Sequence, residues 1–386
     1  MIFLPAELVA EAEAATGLHD LGDACVHDGL AAYCASVTAE ASLNELGIAA
    51  VRGSIVGSLV TRLRVIDWSK RHAAELAGEQ IVAPLVVIGL FRAGTTFLSC
   101  LLDQDLSNRA LLRWEAGDPV PPATPDTFRD GPRVDAARAG AAMMDAINPR
   151  FKAIHHEDAD GPTECIAVMS QDFKSLSWES ITNVPSYSRW LLDVDQRSAY
   201  QYHHLVLRVL QSGGVRGRWT LKSPHHAIAL DPLTAEYPDA TLVVLHRDPL
   251  VLCASVCSLI GTLSGTFTDA DHSAYIAEHW PAMLDESIRR IDAFRDAHPQ
   301  VPIVDIQYAD LVRDPVATLE RIYSSGADDL TDDARARVQH YVDTHPKGRF
   351  GAHRYDLADL GLDAGRLEER FAGYIERYGV EREVRA

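Results

Sequence analysis

The stretch Leu85-Val-Val-Ile-Gly-Leu-Phe-Arg-Ala-Gly-Thr-Thr96 constrains the fold more than any other part of the chain. A β-branched apolar run ends at Gly89, and a short turn carries Arg92, Ala93 and Gly94. Phe97, Leu98, Leu101 and Leu102 then recur at helical spacing. The pattern predicts a buried strand, a tight loop and a helix, the arrangement in which loop N–H groups and a helix N-terminus hold a phosphate. Against the consensus G-x-x-x-x-G-K-[ST], it keeps both glycines, Gly89 and Gly94, and the final hydroxyl, Thr96. The lysine position is Thr95, and the loop's cation is Arg92 instead. Such a loop is expected to grip a phosphate without handling a magnesium nucleoside triphosphate in the usual way.

The 386 residues, 47% hydrophobic and 24% charged, suffice for a full core in one large domain or two ordinary ones. A net charge of −19 argues against an extended nucleic-acid surface, which needs a basic stripe, but leaves room for one local anion pocket. The start, Met1-Ile-Phe-Leu-Pro-Ala-Glu-Leu8, lacks a basic region, and no apolar run reads as long enough to span a membrane. Six cysteines show no C-x-x-C pair, and Cys253 and Cys257 fall on one predicted helix as small buried residues. A reducing, cytoplasmic setting is expected.

Residues 6 to 80 show mostly helical spacing, with Val51–Trp68 an amphipathic helix that should pack on the later core. Further strands are predicted at Arg218–Lys222, Ala240–Leu245 and Pro302–Ile306, and 130–215 reads as largely helical. Gln307–Leu311 reads as a loop, and Leu367–Tyr378 as an amphipathic helix capping the core. The division expected is a helical extension over 1–80 packed on an α/β domain over 81–386.

Several residues near predicted strand ends carry chemistry, because ligands of open α/β sheets sit at the carboxyl ends of the strands. Glu115, ahead of the turn Asp118-Pro-Val-Pro-Pro122, is either a general base or a solvated loop acid. Lys222 ends one strand and precedes Pro224, His225 and His226. Arg247 follows another strand in His246-Arg247-Asp248-Pro249, where its planar fork suits a second phosphate. Ser255, eight residues on along a helix, could clasp the same anion. His155, His156, Glu157, Asp158, Asp160 and Glu164 cluster in sequence but lack the i, i+4 histidine spacing of a metal site, so they read as a polar rim on a substrate cleft. Ser170–Trp178 and Trp190 belong either to an acceptor pocket or to the core.

With these residues placed, Gly-Leu-Phe-Arg-Ala-Gly-Thr-Thr and the His-Arg-Asp-Pro that precedes Ser255 resemble the sulfotransferases that use 3′-phosphoadenosine 5′-phosphosulfate (PAPS). Arg113-Trp-Glu115, the proline turn and Leu221-Lys-Ser-Pro-His-His226 resemble a bacterial branch of that family, and the similarity spans roughly residues 85–375. The resemblance implies a P-loop-like three-layer α/β sandwich with a central parallel sheet and no metal. It implies that Arg92, Ala93, Gly94, Thr95 and Thr96 hold the 5′-phosphosulfate, with Lys222 and Arg92 stabilising the leaving phosphate. Arg247 and Ser255 would take the 3′-phosphate, joined by Lys347, Gly348 and Arg349. The acceptor is expected to be a hydroxyl of a small molecule, lipid or carbohydrate, with Glu115 as the base and His225 the second candidate. Ala93 stands where the family commonly has serine. A nucleotide-type kinase and a silent nucleotide-binding scaffold are the competing readings, and the oligomeric state, homo-oligomer included, is open.

Overall fold

The computed structural model describes residues 3–147, 158–326, 328–345 and 356–383. Its centre is one parallel five-stranded sheet of β1 (Leu85–Gly89), β2 (Asn108–Ala110), β3 (Arg218–Ser223), β4 (Thr241–His246) and β5 (Ile303–Gln307), in the order β2-β3-β1-β4-β5. Every residue of β1 and β4 is buried, as expected of inner strands covered by helices on both faces. The result is a three-layer α/β fold. β2, only three residues long, is too short to show a strand pattern in the sequence.

The helices before the sheet are α1 (Pro5–Thr16), α2 (Cys25–Glu40), α3 (Glu45–Arg71) and the single turn Ala73–Leu76. Val51, Ile55, Leu59, Leu63 and Ile66 of α3 join the same apolar core as β1 and β4. Deep within it, Arg62 of α3 reaches Asp172 at 2.9 Å, and Lys174 meets the other Asp172 oxygen at 3.2 Å. Each oxygen of the buried Asp172 carboxylate thus meets a cation. The 27 residues of α3 do have the length and apolarity of a membrane span, contrary to the sequence expectation. Its interior stripe packs in the protein core, and Arg62 is paired there with Asp172.

The region 130–215 is broken helix: Pro132–Ile147, Ile166–Met169, Leu176–Ile181, Pro185–Asp193 and Arg197–Ser212. Trp178 is buried in the core, with Trp190 packed against it. Arg113–Gly117 and Tyr308–Arg313 are short helices rather than loops. The remaining helices used below are α4 (Thr95–Leu102), α5 (Pro249–Ser264) and α6 (Ala364–Tyr378). Cys253 and Cys257 lie buried on α5, where burial pushes the Cys257 thiol up to about 12.

Candidate active site

The loop between β1 and α4 is shaped by three backbone demands. Gly94 has φ 102°, a value that L side chains rarely adopt, and a Cβ there would stand 2.7 Å from the Tyr308 ring. A Cβ on Gly89 would stand 2.5 Å from the Thr95 methyl, so α4 can fold back on β1 only over a glycine. Arg92 itself sits at φ 72°, a strained setting that lifts its side chain out of the loop. The outcome is the N-terminus of α4, with Thr95 and Thr96 in its first turn, opening at the carboxyl end of the sheet.

A cavity of about 570 Å³ lies over this loop. Arg92, Gly94, Thr95 and Thr96 form one wall, and Arg247 and Tyr308 another. Glu164, Ser177 and Ser180 add polar groups to the lining, and Phe91, Ile166, Ile181, Leu259 and Leu263 make the rest of it apolar. Ala93 is buried beneath, contributing backbone only, and its N–H is used on Leu90 O at 3.1 Å.

Lys222, the last residue but one of β3, lies beside the loop because β3 pairs directly with β1, Val87 opposite Lys222. Its ammonium, 1% exposed, donates to Thr96 Oγ1 at 3.1 Å and lies 3.3 Å from Glu164 Oε1. A cation, a helix N-terminus and a carboxylate thus meet within one hydrogen-bond shell. Glu164 is the residue that the sequence undervalued: it was one acid among several before the Ile166–Met169 helix, with nothing local to mark it. Tyr308 was missed for a similar reason. The Arg247 guanidinium lies 4.0 Å from its ring centre, in cation–π contact.

Two expected bases lie away from the cavity lining. Glu115 does not line the cavity. Its carboxylate, 0% exposed, receives Arg109 Nη1 at 3.0 Å and Nη2 at 2.7 Å, a closed bidentate pair stacked on Trp219. With both oxygens engaged and solvent excluded, it is placed to hold β2 and the Arg113–Gly117 helix together rather than to take a proton. His225 is likewise sealed: Nδ1 accepts the Leu176 N–H at 3.3 Å, which fixes Nε2 as donor to Gln196 Oε1. Burial drives its pKa down to about 3. Only Pro224 of that turn reaches the cavity.

Ser255 Oγ accepts from Arg92 Nε at 3.0 Å, while Arg247 carries the carboxylate of Glu383. Lys347, Gly348 and Arg349 lie outside the described residues, as do His155, His156 and Glu157. Of the acid cluster, Asp160 pairs with Arg138 at 3.0 Å. Among the described residues no three His, Cys, Asp or Glu side chains come together as a metal-ligand set.

A second cavity of about 550 Å³ continues from the first, sharing Glu164, Ile166 and Ser177 with it. Its floor is the face of α3 bearing Ser54, Gly57, Ser58 and Thr61. Glu164 therefore stands at the junction of two spaces, one against the phosphate loop and one against α3.

A phosphate loop without its lysine, flanked by a lysine–carboxylate pair at the end of one neighbouring strand and by an arginine at the end of the other, has the makings of a group-transfer site on a three-layer α/β fold. Residues 84–326 match the family model described as "Sulfotransferase family", and the chain belongs to that family. The crystal structure of sulfotransferase STF9 from Mycobacterium avium is 31% identical, with 99% of this chain and 98% of that one covered and a TM-score of 0.91. Sulfotransferase STF1 from Mycobacterium tuberculosis H37Rv is also 31% identical, covering 95% and 98%, with a TM-score of 0.85. An omega-hydroxy-beta-dihydromenaquinone-9 sulfotransferase, Stf3, of Mycobacterium tuberculosis is 23% identical over 82% of this chain and 80% of its own.

Proposed function

We propose that this sulfotransferase takes its sulfuryl group from PAPS and passes it to a hydroxyl of a small, lipid-like acceptor. The observation that carries the proposal is the contact of Lys222 with both Thr96 of the phosphate loop and the Glu164 carboxylate. It puts a cation where charge would build on a leaving phosphate and a proton acceptor on the same spot.

In this reading the α4 N-terminus, Arg92, Thr95 and Thr96 hold the 5′-phosphosulfate, and Arg247 holds the 3′-phosphate. The acceptor hydroxyl oxygen forms a bond to sulfur as the bond from sulfur to the 5′-phosphate oxygen breaks. Glu164 accepts the hydroxyl proton, and Lys222 and Arg92 stabilise the negative charge on the departing phosphate. The two products are the acceptor sulfate ester and adenosine 3′,5′-bisphosphate. The roles of Arg92, Thr95, Thr96, Arg247 and Lys222 follow those expected from the sequence, and Glu164 replaces Glu115 and His225.

The acceptor class draws on the apolar side of the first cavity and on the relative that acts on a hydroxylated menaquinone derivative. An acceptor with its hydroxyl at Glu164 would run on into the cavity over α3. A reducing, cytoplasmic setting remains part of the proposal, supported by six cysteine thiols with no disulfide between them. The test is transfer of labelled sulfuryl from PAPS to a panel of hydroxylated prenyl lipids and sugars, run with excess chelator. Labelled ester from the lipids supports the reading; none from any hydroxyl acceptor, with transfer to an amine, would replace it.

A further inference from the structure

The end of the described chain returns to the anion site. After α6, Gly379 at φ 61° turns the backbone, and Val380 is buried as an anchor. Asp248 then clamps the tail. Its Oδ1 caps α5 by accepting the Leu250 N–H at 3.0 Å, and its Oδ2 accepts the Glu383 N–H at 2.9 Å and Arg382 Nε at 3.2 Å. Held in this way, Glu383 lays its carboxylate along the edge of Arg247, Nε to Oε1 at 2.6 Å and Nη2 to Oε2 at 2.9 Å. The opposite side of the same guanidinium donates from Nη1 to Arg92 O at 2.9 Å, which ties it to the phosphate loop. This is the two-point geometry by which an arginine reads a phosphate. A cavity of about 280 Å³ beside Glu383 shares Arg247, Tyr308 and Val312 with the main cavity, so the tail and the donor cleft adjoin.

We propose that Glu383 is a resident competitor for the 3′-phosphate: its carboxylate fills the bidentate edge of Arg247 in the empty enzyme, yields to the donor, and returns as the bisphosphate product leaves. The inference rests on Arg247 being the 3′-phosphate ligand. A carboxylate and a phosphate cannot share one edge, and each repels the other. Exchanging one anion for another keeps Arg247 covered throughout, so product release does not have to expose a bare cation. Glu383 thereby sets how tightly a ligand bearing a 3′-phosphate binds, with no influence on one that lacks it.

The test uses the full chain and its Glu383→Gln, Glu383→Ala and Arg247→Ala variants, titrated with adenosine 3′,5′-bisphosphate and with 5′-AMP. Both Glu383 variants should bind the bisphosphate about tenfold more tightly or better, with slower release in stopped flow and unchanged 5′-AMP affinity. In an Arg247→Ala background, Glu383→Gln should change nothing. Unchanged or weaker bisphosphate binding in both Glu383 variants would overturn the inference, the weaker case making Glu383 a positioning residue for Arg247. If Arg247→Ala itself kept the preference for the bisphosphate over 5′-AMP, the assignment of Arg247 would fall instead.

Discussion

The Lys222 ammonium and the Glu164 carboxylate lie 3.3 Å apart at the junction of two cavities, one built on the phosphate loop and the other on α3. One member is 1% exposed and the other 17%. The buried cation is tied to Thr96, so the carboxylate is the member with freedom to meet an incoming hydroxyl.

Glu164→Gln should therefore lower turnover by about 100-fold or more while sparing donor binding, because the amide keeps the shape and loses the proton acceptor. Steady-state rates paired with bisphosphate titration check this. Turnover near that of the unsubstituted enzyme would assign the base elsewhere.

Glu115→Gln should act on stability instead. Arg109 would keep a buried charge with a weakened partner, at a cost of about 3 kcal/mol. Urea unfolding should show an earlier midpoint, and the pH profile of the remaining activity should keep its shape. A shifted profile at normal stability would restore Glu115 to the reaction.

The cavity over α3 offers a separate handle on the acceptor. A Cβ added at Gly57 meets nothing within 4 Å, so a large side chain there enters the groove without disturbing the core. Gly57→Trp should raise acceptor KM by about tenfold with bisphosphate affinity unchanged, the pattern of lost acceptor binding alone. An unaltered KM would mean that the acceptor leaves Glu164 by the other route.

Acid should destabilise the fold over a defined window. Burial holds His203 and His225 down to about 3, and burial with the neighbouring His203 and His225 holds His226 well below its ordinary value. Unfolded, each takes a proton near 6.5, so between about 6.5 and 3 the unfolded chain binds more protons than the folded one. Their contribution is complete above pH 6.5 and is lost as pH falls through that window, at up to about 1.4 kcal/mol per histidine per pH unit. Urea midpoints measured from pH 7.5 down to 5 should fall steadily, with net proton uptake on unfolding. A flat midpoint would mean that these rings are not held neutral.

How much of this was legible in the sequence follows from how far each residue's partner lies along the chain. Gly89, Arg92, Gly94, Thr95 and Thr96 announce themselves within a dozen positions, since the loop's backbone demands are local. Lys222 could be placed because β3 reads as a strand and its terminus is clear. The burial of Glu115 was not legible because its partner, Arg109, sits on a strand of three residues that no periodicity reveals. Arg247 was expected to bind an anion, yet the carboxylate it meets is 136 residues further on, at a contact that only the folded tail creates. Glu164 gained its meaning from Lys222 across the sheet, which no reading of its own neighbours supplies.

The central claim is that the cleft is built for an adenosine ligand carrying a 3′-phosphate. Calorimetric titration with adenosine 3′,5′-bisphosphate, 5′-AMP and magnesium-ATP tests it most directly. The account predicts binding of the bisphosphate at least about tenfold tighter than 5′-AMP, with or without magnesium. Equal binding of the two, or preference for magnesium-ATP, would contradict it.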